Sequence, residues 1–518
     1  MLRWFETRLD PYPLSDTDMP PDSLASFCLH FMKGAKRWLI AMAVLAAAIA
    51  MFEIMLFGFL GSIVDWLAQV DRESFFRTQG TTLLLMGLVA FILLPVLSAV
   101  STMIIHQALM GNFPQRVRWM GHRYLLRQSM SFFQDEFAGR IAAKLMQTAL
   151  AVRETVMKIL DMLVYVLVYF IGAIVLAAMN DWRLAIPFLV WFLIYLGLLT
   201  YFVPRLGRVA QTQADARSTM TGRVVDSYTN VSTVKLFSHA AREEDYARNS
   251  MDEFLHTVHR QMRLSTSLEI SIEILGTVLL LAVTAAGLWL WQISEVGAGA
   301  LAVAISLVLR IRGMSHWIMW EMSALFENIG TVRDGMNTIS IPLKVTDQAD
   351  AYPLTVSRGE VVFDHVTFRY EKGAANDRIS RPGSPSPRDV AVIEDFSLTI
   401  RPGEKIGLVG RSGAGKSTLV SLLLRFYDLA GGTIRIDGTD ISSVTQESLR
   451  GAIGVVSQDT SLLHRSVRDN IKYGRPDATD EEMIAAARLA EADEFIGELE
   501  DSKGNRGYDA QVGERGVK

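Results

Sequence analysis

Cysteine is nearly absent: Cys28 stands alone among 518 residues, so no internal disulfide is possible. A lone cysteine of this kind reads as a small residue at a buried or interfacial position, not as a reactive thiol. Charge is scarce too. Asp, Glu, Lys and Arg make up 20% of the chain against 50% hydrophobic residues, and the mean hydropathy is +0.24. That balance belongs to membrane proteins. A cleavable signal peptide is not recognisable, because Met1–Pro21 is polar and Pro-rich. The first apolar run begins near Trp38 and is too long for the core of such a signal. The formal net charge of −4 says little, since the charges are segregated along the chain. The length exceeds that of one ordinary domain.

Five apolar segments reach spanning length, about 20 residues for a bilayer core of about 30 Å. They run roughly over Trp38–Val64, Thr82–Ile105, Ile159–Met179, Leu184–Val203 and Ile270–Trp291. A sixth, about Val296–Ile318, is interrupted by Arg310 and Arg312. It is accepted because an odd number of spans would strand the C-terminal part on the opposite side from the basic loops. Pro95 and Pro187 fall inside spans, where proline is tolerated better than in soluble helices.

Lys and Arg set the orientation. Lys33, Lys36 and Arg37 precede the first span. The second-to-third connection carries Arg116, Arg118, Arg123, Arg127, Arg140, Lys144 and Arg153. The fourth-to-fifth connection runs from Arg205 to Arg263 with as dense a set of basic residues, and the other connections are short. The bias places both long loops and both termini in the cytoplasm, with the protein in an inner (plasma) membrane. Taken singly, these arginines read as solvated helix faces. Ahead of the first span, Leu24–Lys36 suits a short interfacial helix. The expected divisions are 1–37 for the N-terminus and this helix, 38–340 for six spans with two long cytoplasmic loops, and 355–518 for a soluble domain.

In that soluble part, Val361–Tyr370 alternates like a strand, Val392–Ile400 reads as another, and Ile434–Ile436 leads into an Asp437-Gly438 turn. A Gly/Pro/Ser-rich run lies between Glu371 and Asp389 and reads as a flexible loop. Then comes Gly410-Arg411-Ser412-Gly413-Ala414-Gly415-Lys416-Ser417-Thr418, a match to G-x-x-x-x-G-K-[ST]. In this motif backbone N–H groups cradle the phosphates of a nucleotide. Its flanks fit: Ile406–Val409 suits a buried strand, and Leu419, Val420, Leu422, Leu423 and Leu424 give the next segment an apolar helical face. Lys416 is expected against the β- and γ-phosphates of ATP and the Ser417 hydroxyl on Mg²⁺. The N–H groups from Gly413 to Thr418 would aim the helix N-terminus at the anion, with Thr418 adding an α-phosphate contact.

With these residues in order, the chain resembles an ABC exporter half-transporter: a membrane all-α domain of six transmembrane helices followed by a partial α/β P-loop NTPase domain. Val366-Thr367-Phe368-Arg369-Tyr370 resembles the aromatic loop of that family, which implies that Tyr370 stacks on adenine. Val455-Val456-Ser457-Gln458-Asp459 resembles its Q-loop, which implies that Gln458 reaches Mg²⁺ and the attacking water. The run from Leu462 to Gly474 continues the match, and Val512–Gly516 resembles the segment ahead of the signature motif. Phe132-Phe133 with Gly139-Arg140, and Asp226–Phe237, resemble the two cytoplasmic loops that carry coupling helices. The resemblance implies ATP-driven export by a dimer with a second half-transporter, identical or different. It further implies contact with membrane lipids, a small-molecule or lipid substrate, and no nucleic-acid partner.

The departures count as well. The string L-S-G-G-Q is absent, no apolar strand ending in Asp-Glu follows Gln458, and the last histidine is His464. The chain therefore reads as an incomplete stretch of a complete transporter, expected to be inactive alone, and not as a natural short form. The competing reading is an ATP-binding regulatory or channel-like subunit that never hydrolyses; a membrane-anchored P-loop kinase would leave Tyr370, Gln458 and both coupling loops as coincidences. Finally, Glu53 and Arg310 lie well inside spans, where each costs about 2.5–3.5 kcal/mol. They are expected to face a cavity or one another. Glu269 and Glu273 share a helix face near the cytoplasmic interface and are expected to be solvated.

Overall fold

The computed structural model describes residues 2–14, 18–69, 73–135, 138–237, 240–370, 391–457 and 462–513. The chain divides into two compact units, one built mainly from Met1–Thr346 and the other mainly from the residues after it.

In the first unit a short helix α1 (Leu24–Phe31) precedes six helices long and apolar enough to cross a bilayer. These are α2 (Lys36–Leu67), α3 (Phe75–Leu125), α4 (Gly139–Asn180), α5 (Trp182–Thr229), α7 (Ala241–Gln292) and α8 (Ala298–Ile339). A six-residue helix α6 (Val231–Leu236) links α5 to α7. Five of the predicted spans lie within a helix each, and the sixth, Val296–Ile318, begins two residues before α8. The helices overrun the apolar segments: α7, at 52 residues, is about 80 Å long, far more than a bilayer requires. The surplus lies in the basic segments. There α5 and α7 run side by side, with the Ser227 hydroxyl donating to Glu243 Oε2 at 2.9 Å and Arg223 lying 4.4 Å over the Tyr246 ring. Large apolar side chains such as Phe91, Leu84 and Ile92 are exposed along α3, as a lipid-facing surface requires.

Proline shapes α3. Pro95 has no N–H, and its ring displaces the preceding carbonyls. The helix answers with a π-helical turn over Val89–Leu93, directly before it. Further π turns occur at Ile104–Leu109 and, in α4, at Ile159–Leu163. Small residues let helices close up. A Cβ added to Gly299 would sit 2.2 Å from the Gly61 carbonyl oxygen, and one added to Gly335 would sit 1.7 Å from Thr148 Oγ1.

The N-terminal segment is ordered along α3. Asn112, Arg116, Trp119 and Arg123 recur along one face and donate to the carbonyls of Glu6, Asp10, Pro13 and Leu14 at 2.7–3.0 Å. Leu9 is buried, and Tyr12 meets the Trp119 ring edge-on at 5.5 Å. These arginines are thus occupied by backbone and not simply solvated. Helix α1 forms but ends at Phe31, short of the expected Lys36, and is capped by Ser23 Oγ accepting from the Ser26 N–H at 3.3 Å. Its Phe27 and Phe31 are fully buried in protein.

The second unit holds a four-stranded antiparallel sheet in the order β2-β1-β3-β4, with β1 Val361–Phe368, β2 Ile393–Ile400, β3 Gly431–Ile436 and β4 Thr439–Asp440. Three of the expected strands are present, β1 and β2 within two residues of their expected bounds and β3 beginning three residues earlier than Ile434. The β3–β4 turn uses Asp437 and Gly438, both at positive φ (48° and 82°), as a tight primed turn demands. One expectation fails. Ile406–Val409 forms no strand, and Val409 is 97% exposed. A strand exists through its ladder partners, and among the described residues none lies beside this run. Helices α9 (Lys416–Leu423), α10 (Gln446–Gly451), α11 (Val467–Ile471), α12 (Asp480–Leu489) and α13 (Asp493–Glu498) complete the unit.

Candidate functional site

The phosphate loop enters α9 through Gly415. Gly413 (φ 82°) and Gly415 (φ 83°) both occupy the left-handed region that side chains resist. A Cβ on Gly415 would also press at 3.4 Å on the Val392 carbonyl oxygen and on Ile393. The Ala414 N–H closes a turn onto the Arg411 carbonyl at 3.2 Å. No side chain caps α9. A helix start without a capping side chain suits an anion. Lys416 folds back over the loop, its Nζ donating to the carbonyls of Gly410 (2.8 Å) and Arg411 (2.9 Å). The ammonium is thus held at the mouth of the loop. Ser417 is exposed and Thr418 is buried. The left-handed glycines, the uncapped helix start and the poised lysine fit the triphosphate of a nucleotide.

Pairing of β1 with β2 sets Phe368 opposite Ile393, and the Val392 N–H donates to the Phe368 carbonyl at 3.0 Å. The end of β1 is thereby placed against the residues that touch Gly415. Tyr370 follows two residues later. It is half exposed and meets the Tyr427 ring edge-on at 5.3 Å. Gln458, the 371–390 insertion and Glu514–Gly516 lie outside the described residues. The sheet beneath is braced by Asp437, whose carboxylate accepts the N–H groups of Ser357, Arg358, Gly359 and Glu360 at 2.7–3.2 Å. These bonds, the Arg358 N–H foremost, hold its carboxyl well below the usual carboxylate range.

In the first unit the mid-span charges meet one another. Arg310 Nη2 on α8 lies 3.1 Å from Glu53 Oε2 on α2, and the same oxygen accepts the Tyr165 hydroxyl of α4 at 2.6 Å. Sequence reasoning missed Tyr165, whose hydroxyl inside an apolar run was the available signal. Glu273 corrects a further expectation. It pairs with Arg312 instead of standing solvated, because α7 and α8 are neighbours and Gly276, one turn along, leaves room for the Arg312 stem, which a Cβ added there would meet at 3.3 Å. Glu269 is exposed as expected. Short helices occupy both places assigned to coupling helices, Met130–Asp135 and α6, with Leu236 and Phe237 exposed at the second.

Six helices long and apolar enough to cross a bilayer and a phosphate loop stand on one chain. Residues 39–313 match the ABC transporter transmembrane region, and residues 393–509 match the ABC transporter domain. The chain belongs to the ABC transporters, as a multi-pass half-transporter of the exporter type. It is 50% identical to an uncharacterized ABC transporter ATP-binding protein of Haemophilus influenzae, over 99% of this chain and 81% of that protein. It is 29% identical to YgaD of Bacillus subtilis, a putative multidrug export ATP-binding/permease protein, over 76% of this chain and 65% of that one. With the beta-(1-->2)glucan export protein NdvA of Bradyrhizobium diazoefficiens it shares 31% identity, over 65% of this chain and 54% of NdvA. A solved bacterial Atm1-family ABC exporter with ATP bound shares the fold at a TM-score of 0.73 and 23% identity, over 93% of this chain and 80% of that one.

Proposed function

We propose that this chain is one half of an ATP-driven exporter that moves a lipid-like or drug-like amphiphile across the inner (plasma) membrane. The carrying observation is the phosphate loop: two left-handed glycines, an uncapped helix start, and Lys416 held 2.8 Å and 2.9 Å from two loop carbonyls. In this reading ATP replaces those carbonyls as the partner of Lys416, and the Ser417 hydroxyl takes Mg²⁺ together with Gln458. Gly410, Ser412, Gly413, Ala414, Gly415 and Thr418 shape the cradle, and Tyr370 stacks on adenine. A second half-transporter, identical or different, completes the machine. The basic segments of α3, α5 and α7 support a cytoplasmic location for both termini and for the nucleotide domain.

The test is ATP hydrolysis by the full-length protein in lipid vesicles. Lys416→Ala removes the fixed cation from the transferring phosphoryl group and is expected to lower the rate by about a hundredfold or more. Wild-type turnover in that variant would overturn the assignment of the phosphate loop.

A further inference from the structure

We propose that Glu53, Tyr165 and Arg310 form a recognition site for the head of a zwitterionic amphiphile, Arg310 taking its anionic group and Glu53 its cationic group. This rests on the exporter reading and adds a substrate class to it. Arg310 and Arg312 stand two positions apart on α8 and so point to opposite sides, one to Glu53 on α2 and the other to Glu273 on α7. Their surroundings differ. Both pairs are partly exposed, 47% and 29% for Arg310 and Glu53 against 36% and 41% for Arg312 and Glu273, but the stem of Arg312 packs at Gly276 on the neighbouring helix. On the Arg310 face of α8, Gly313 opens onto empty space: a Cβ there would meet nothing within 4 Å. Trp317 follows one turn on, partly exposed.

Donors are left over at this place. Both hydrogen bonds of Arg310 come from Nη2, to Glu53 at 3.1 Å and Tyr165 at 3.3 Å. Among the described residues its Nε and Nη1 make none, although a guanidinium carries five N–H donors. One turn beyond Tyr165, Tyr169 is fully buried with its ring 6.0 Å from the Tyr165 ring, and its hydroxyl faces the Arg310 guanidinium without a hydrogen bond of ordinary geometry. The π-helical turn Ile159–Leu163 comes directly before this pair of tyrosines. Such turns often mark functional positions.

Charge decides the ligand. The Glu53–Arg310 pair is neutral overall, so a head with one net charge would leave an uncompensated charge among the spans, where that is costly. A head with one charge of each sign replaces each partner of the pair with a new one and leaves no residue. Apolar residues on both sides of the pair, Phe57 and Trp317 among them, suit an attached tail.

The experiment uses full-length protein in lipid nanodiscs, titrated with probes below their micellar concentrations. The probes are dodecylphosphocholine, dodecyl phosphate, dodecyltrimethylammonium and, as a head without a tail, glycerophosphocholine. ATP hydrolysis and the shift in thermal midpoint are both read. Dodecylphosphocholine is expected to act at concentrations about tenfold below the singly charged probes, the worth of one charge-assisted hydrogen bond. Arg310→Gln is expected to move the preference to the cationic probe and Glu53→Gln to the anionic one. Equal responses of the wild type to the three tailed probes would overturn the site. So would variants that keep the wild-type ranking, the result of a purely structural pair. Should a single variant fail to fold, the double variant Glu53→Gln/Arg310→Gln removes both charges and is expected to lose the ranking; retention would overturn the proposal. A tailless head as potent as dodecylphosphocholine would overturn the amphiphile. Thermal shifts that keep the predicted ranking, with no Lys416-dependent hydrolysis, would support this site while overturning the ATPase reading.

Discussion

At the scale of single residues, function and stability are carried by groups whose partners lie far away in sequence. Asp437 shows this well. Four backbone N–H groups from 357–360 converge on its carboxylate and stabilise the ionised form. The folded-state pKa is depressed, so the contribution to stability is complete above the unfolded value of about 3.9 and fades as pH falls below it. Asp437→Asn is therefore expected to lower the thermal midpoint at pH 7, with the gap to wild type narrowing below about pH 4. Melting curves of the two proteins at a series of pH values check this, and a gap independent of pH would assign the effect to shape instead of charge. Cys28 follows the opposite logic. Burial pushes its thiol up to about 11, so it stays unreactive at neutral pH, as its lone occurrence suggested.

At the scale of elements, the N-terminal segment is the part that sequence reading left blank. Its composition is polar and Pro-rich, which is the signature of a loop. Its order comes from four donors spaced along α3 at Asn112, Arg116, Trp119 and Arg123, which take carbonyls that no regular ladder satisfies. Removing residues 2–14 leaves Arg116 and Trp119 without these acceptors and uncovers the apolar surface under Leu9. Each hydrogen bond lost in this way to water contributes about 0.5–1.5 kcal/mol net. The deletion is expected to lower the thermal midpoint by several degrees, measured in detergent on protein purified by an identical route. An unchanged midpoint would show that the strap is held without contributing.

At the scale of the molecule, six spans and two long basic segments fix an expected topology, with α6 on the cytoplasmic side. Because Cys28 is the chain's only cysteine, Cys28→Ser leaves a clean background for labelling. In that background, Lys235→Cys in α6 is expected to react with a membrane-impermeant maleimide only after the cells are permeabilised. Labelling of intact cells would invert the topology and with it the direction of transport. Within the spans, close approach depends on glycine: Gly299 faces the Gly61 carbonyl and its N–H donates to Asp65 Oδ1 at 2.8 Å. That arrangement ties α8 to α2 at the end away from α6.

By itself the sequence determined the elements whose signal is local. Apolar length marked five spans, with the sixth following from the side on which the basic loops lie, alternation marked β1, and the spacing of glycines and lysine marked the phosphate loop. It also determined that Glu53 and Arg310 could not stand alone in an apolar span, because the cost of a bare charge does not depend on the fold. The partners were decided by tertiary structure. Tyr165 joined that pair, and Glu273 found Arg312, because helices distant in sequence lie side by side. Ile406–Val409 remained without a strand because a ladder needs a neighbour, and no local pattern supplies one. The basic face of α3 became a clamp for the N-terminus for the same reason: a donor's periodicity is written in its own helix, and its acceptor is set by packing.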